Sequence, residues 1–129
     1  MCGISGIVQY NKTEISKNRL QSMMQHMKHR GPDAEGCYIQ NNVGLGYIRL
    51  TISDMVGTAY QSMTDDTNRY TIIKNGEVYN RVELCEELQA MGYMFHSQTD
   101  AEVILNGYIA WGEDVLDKIN GMFALAIYD

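Results

Sequence analysis

The chain opens Met1-Cys2-Gly3-Ile4-Ser5-Gly6-Ile7-Val8, and the reading of this stretch governs the fold. Residues 2–9 form a short apolar run punctuated by glycine, the pattern of a buried strand. Most cysteines in such a run are small buried hydrophobes. Cys2 differs, because removal of Met1 leaves a thiol and a free α-amine on one residue. That is a nucleophile with its own proton acceptor, and it asks for no separate histidine. A buried thiol beside an ordinary chain start is the alternative, and this stretch alone leaves both open.

The 129 residues make one domain or part of one. A chain of this length buries roughly two thirds of its unfolded surface. With 45% hydrophobic residues it is not a disordered segment. Ten basic and sixteen acidic residues give a net charge of -6, which argues against a nucleic-acid or anionic-membrane surface. Cys2, Cys37 and Cys85 stand far apart with no CxxC, so neither a disulfide framework nor a zinc site is expected. Without a signal-peptide pattern or a long apolar run, the expected compartment is the cytoplasm.

Working outward, Ser16 is a fair N-cap for a helix with Leu20, Met23, Met24 and Met27 on one face. His29-Arg30-Gly31-Pro32-Asp33 stops it. Strands are predicted over 36–40 and 43–50, and another over 51–54 is considered. Residues 55–68 read as a polar loop, and 69–74 as a strand that ends in an Asn75-Gly76 turn. Asn80 opens a helix to Met91 with Val82, Leu88 and Met91 inward. Asp100 opens another, with Ala101, Ile104, Tyr108 and Trp111 at helical spacing and Gly112 at its end. Residues 121–128 are a last apolar strand. Strands early and late with helices between them indicate α+β layers.

Each remaining motif has a plain and a chemical meaning. His29 to Asp33 is a helix-ending turn. The amide of Asn75 and the backbone N–H of Gly76 suit an oxyanion hole, although Asn-Gly is also a common turn pair. Asp100 in Thr99-Asp100-Ala101-Glu102 is a helix cap that is also suited to face a ligand ammonium. Arg49 in Leu45-Gly46-Tyr47-Ile48-Arg49-Leu50 wants an anion, either a structural partner or a substrate carboxylate held by its fork.

Together with Asn120-Gly121-Met122-Phe123-Ala124, these segments follow an order the chain shares with one family. The chain closely resembles the class II glutamine amidotransferase domain of glutamine-dependent asparagine synthetases, members of the N-terminal-nucleophile hydrolases. Arg30-Gly31-Pro32-Asp33 and Asn75-Gly76-Glu77-Val78-Tyr79-Asn80 carry the likeness most specifically. The resemblance implies an αββα sandwich of mainly antiparallel sheets. It implies Cys2 as nucleophile, its α-amine as base, and Asn75 with Gly76 as oxyanion hole. Arg49 would hold the glutamine α-carboxylate, and Asp100 with Glu77 the α-ammonium. The backbone of Leu50, Thr51, Ile52 and Ser53 would line the same pocket. L-Glutamine would pass through a Cys2 thioester to glutamate and ammonia. The ammonia would go to a synthetase domain or chain that uses ATP and Mg. No cofactor is implied within these residues, and a chain keeping Met1 is expected to be inactive.

Four positions depart from the family pattern. They are Tyr47 in place of histidine, Lys74 in place of an apolar residue, Ser62 in place of proline and Ala101 in place of threonine. The family domain continues past residue 129, so the expectation is a partial type-2 amidotransferase domain over 1–129, truncated at its C-terminus. An unpaired sheet edge there invites association, as in a homo-oligomer, or instability. Two other readings stand beside the glutaminase: a non-catalytic remnant binding glutamine or a partner, and an amidotransferase half serving a different acceptor.

Overall fold

A computed structural model describes residues 2–50 and 62–129. Met1, the expected lining residues Thr51, Ile52 and Ser53, and the strand considered over 51–54 lie outside the described residues. In chain order the elements are β1 (Gly3–Val8), α1 (Lys17–His26), β2 (Ala34–Gln40), β3 (Val43–Arg49), β4 (Ser62–Thr64) and β5 (Thr71–Val78). After them come α2 (Arg81–Ala90), α3 (Asp100–Trp111), α4 (Val115–Lys118) and β6 (Gly121–Tyr128). One sheet runs β1-β3-β2 and the other β4-β5-β6. Every pairing within them is antiparallel.

Strand alternation sorts the apolar residues into three layers. On the outer face of the first sheet, Ile48, Ile7 and Ile39 meet Leu20, Met24 and Met27 of the α1 region. Between the sheets, Ile4, Val43, Leu45 and Tyr47 meet Ile73, Ala126 and Tyr128. On the far side, Ile72 and Val78 pack under Leu84 and Leu88 of α2 and Ala101, Ile104 and Leu105 of α3. Ile72 and Ile73 are adjacent in sequence and belong to different layers. The order is therefore helix, sheet, sheet, helices, which is the expected αββα sandwich.

Ser16 caps α1 as predicted, accepting from the Arg19 N–H. β6 has the predicted bounds. Three expectations need correction. β5 does not stop at Asn75-Gly76 but continues to Val78, because β6 pairs with it along its whole length. A short strand, β4, stands within the predicted loop. The buried face of α2 is Leu84 and Leu88, while Val82 and Met91 are exposed. Leu84 and Leu88 are four apart and share a face; Val82 lies across the helix from Leu84, and Met91 lies past the last helical residue.

Candidate active site

Gly3 pairs with Ile48, and continuing that ladder by one residue sets Cys2 opposite Arg49. The Leu50 N–H donates to the Cys2 Sγ at 3.5 Å, and the thiol reaches the Leu50 carbonyl at 3.8 Å. Cys2 is half-buried and its thiol is free. The Arg30 Nε donates to the Cys2 carbonyl at 3.1 Å. The main chain of Cys2 is thus held on one side and its sulfur on the other.

The His29 to Asp33 run is the clamp for this corner. Pro32 bridges to Arg49, and the Asp33 N–H donates to the Arg49 carbonyl at 3.0 Å. A Cβ on Gly31 would stand 2.5 Å from the Arg49 carbonyl carbon, so only glycine lets the turn lie this close to β3. The predicted turn is therefore structural, and what it secures is the strand end carrying Arg49.

Asn75 and Gly76 sit inside β5, opposite Ala124 and Phe123. Alternation from Ile73 puts Asn75 on the inter-sheet face, and alternation from Ile4 and Tyr47 puts Cys2 and Arg49 there too. The strand of the thiol and the strand of Asn75 thus pack against each other across the sandwich. Gly76 has φ +122, a conformation side chains rarely adopt. Its carbonyl accepts from Lys74 Nζ at 2.6 Å. Glu77 is exposed, opposite Met122.

Asp100 is not the cap of α3. Thr99 is, accepting from the Glu102 N–H at 3.3 Å. The Asp100 carboxylate leaves the helix start and reaches β5, where the Val78 N–H donates to it at 2.9 Å. Lys74 Nζ lies 3.3 Å from the same oxygen, and Arg81 Nε lies 3.6 Å from the other. Asp100 thus ties α3 to the strand that bears Asn75 and Gly76.

The sequence alone gives no role to Lys74, Arg81 or Glu102. Glu102 is 1% exposed, and its carboxylate accepts from the N–H groups of His96 and Ser97, both at 2.7 Å, and from the Ser97 hydroxyl at 2.6 Å. Its signal was the spacing Thr99-x-x-Glu102, a helix-start pattern in which the acid reaches back to preceding N–H groups. Among the described residues no group of three or more His, Cys, Asp or Glu is placed to hold a metal ion. No described helix is long and apolar enough to cross a membrane.

A family model described as a glutamine amidotransferase domain matches residues 1–129. Asparagine synthetase [glutamine-hydrolyzing] 3 of Bacillus subtilis (strain 168) is 39% identical over 131 residues, covering 100% of this chain and 21% of that protein. Asparagine synthetase B [glutamine-hydrolyzing] of Escherichia coli (strain K12) is 37% identical over 131 residues, covering 100% of this chain and 23% of that protein. The chain thus spans between a fifth and a quarter of the length of these two relatives. Among solved structures, the glutamine phosphoribosylpyrophosphate amidotransferase from B. subtilis, complexed with ADP and GMP, superposes with a TM-score of 0.73. It is 16% identical, over 96% of this chain and 34% of that one, and it supports the layered fold. With the family model matching from end to end, this chain belongs to the glutamine amidotransferase domain family.

Proposed function

We propose that this chain hydrolyses L-glutamine to glutamate and ammonia through a thioester on Cys2. The observation that carries the reading is the placing of the Cys2 sulfur at the Leu50 backbone, opposite the strand end that bears Arg49. The Arg49 fork suits a substrate carboxylate, and the carboxylates of Asp100 and Glu77 suit the α-ammonium. An α-amine is partly neutral near pH 7–8, so once Met1 is removed the amine of Cys2 can take the thiol proton. Sulfur then attacks the side-chain amide carbonyl. The Asn75 amide and Gly76 N–H donate to the oxyanion, ammonia leaves, and water releases glutamate. Losing one oxyanion donor costs roughly 100- to 1000-fold in rate. Leu50, Thr51, Ile52 and Ser53 would line the glutamine pocket.

The relatives support an asparagine-synthetase-like setting, in which ammonia passes to a synthetase domain or chain. ATP and Mg would act there and enter no step assigned to these residues. Free thiols at Cys2, Cys37 and Cys85 support a reducing, cytoplasmic compartment. A second reading is binding of glutamine without hydrolysis. Intact mass with an ammonia-release assay separates the two. Protein lacking Met1 is expected to release ammonia from glutamine, and Cys2→Ala to abolish the release. Folded protein without Met1 that binds glutamine and leaves it intact would replace the glutaminase reading with the second.

A further inference from the structure

Lys74 is a buried cation one residue before Asn75. Its side chain is 7% exposed and that of Asp100 is 12% exposed. Alternation along β5 turns it to the helix side of the sheet with Ile72, away from the face carrying Ile73. There its ammonium meets two acceptors, the Gly76 carbonyl at 2.6 Å and the Asp100 Oδ2 at 3.3 Å. A lysine is seldom buried unless such partners receive it.

The charge count around Asp100 has a consequence for recognition. One carboxylate already faces Lys74 and, at 3.6 Å, Arg81. A third cation arriving at the same carboxylate gains attraction from Asp100 and loses part of it to repulsion from Lys74. At short range and low exposure that repulsion is only partly screened. The bond to the Gly76 carbonyl keeps the ammonium in place, so it cannot swing away freely.

We infer that Lys74 is a specificity-determining positioning residue, an internal ammonium that shares Asp100 with the α-ammonium of the substrate and so weakens selection for that group. The inference rests on the glutaminase reading and on Asp100 facing the α-ammonium. It makes recognition of the α-amino group weaker in this chain than Asp100 without Lys74 would provide.

The test compares kcat/KM for L-glutamine with that for 4-carbamoylbutanoate, which is glutamine without its α-amino group, in protein lacking Met1. Lys74→Met and Lys74→Gln are expected to raise the preference for glutamine about tenfold, mainly through a lower KM for glutamine. Lys74→Arg keeps the cation and is expected to keep the parent ratio. Lys74→Gln retains a donor for the Gly76 carbonyl and gives the reading if Lys74→Met fails to fold. A purely structural lysine would change the melting temperature and leave the ratio alone. Hydrolysis of glutamine by the neutral variants with a ratio within twofold of the parent overturns this inference alone. Absence of hydrolysis by the parent overturns the glutaminase reading and this inference with it.

Discussion

A Cβ built on Gly76 would lie 2.0 Å from the carbonyl oxygen of Met122 on the paired strand. With φ at +122, this position excludes a side chain by space and by backbone conformation alike. Gly76→Ala is expected to destabilise the protein by about 2 kcal/mol or more, read from urea denaturation. Ammonia release should fall at least about 100-fold in whatever fraction stays folded, because the Gly76 N–H leaves its place.

Arg30 holds Cys2 from behind through a bond to its carbonyl. A charge-assisted hydrogen bond of this kind is worth about 1.5–3 kcal/mol. Arg30→Ala is expected to lower kcat for glutamine about tenfold or more, with KM less affected, since Arg49 and Asp100 stay where they are. Steady-state ammonia release measures both constants. An unchanged kcat would show that Cys2 is positioned without this bond.

Glu102 gathers three donors from His96 and Ser97 onto a buried carboxylate. Glu102→Ala strands two backbone N–H groups and should cost about 3 kcal/mol. Glu102→Gln keeps one carbonyl oxygen as acceptor and should cost less. Denaturation midpoints of the two variants test the ranking.

Asp65 supplies a pH dependence. Burial works against its charge, but the Thr67 hydroxyl and the N–H groups of Tyr70, Thr67 and Arg69 outweigh it and hold the carboxyl below the usual range. A folded-state value lowered this way adds stability that is present above the unfolded value of about 3.9. That stability is lost as pH falls through the lowered folded value. Asp65→Asn should therefore be less stable than the parent at pH 6, and the gap should narrow as pH drops below about 4. Urea melts at pH 6 and pH 3 make the comparison.

Much of the layering was legible because it follows from alternation. The Ser16 cap and the bounds of β6 are local signals, and they hold. The Asn75-Gly76 pair misled for the same reason. Locally it is a turn, but a full partner strand across from it supplies hydrogen bonds that a turn would forgo. Asp100 has the local look of a cap because it stands at the start of its own helix, whereas Thr99 takes that role and Asp100 serves β5. Lys74 registered only as an odd residue in an apolar strand, since nothing local announces a carboxylate 26 positions away.

The chain alone determined that a thiol stands next to the amino terminus of a strand, that glycine stands where backbone must pass close to backbone, and which family's motifs these are. Those are properties of single residues and near neighbours, fixed by covalent order and steric allowance. Only the folded molecule decided that Arg30 holds the Cys2 carbonyl, that the Gly31 turn braces Arg49, and that one part-buried carboxylate is shared by two cations from β5 and α2. Such relationships depend on the packing of segments remote in sequence, where burial makes each charge seek a partner that no local pattern names.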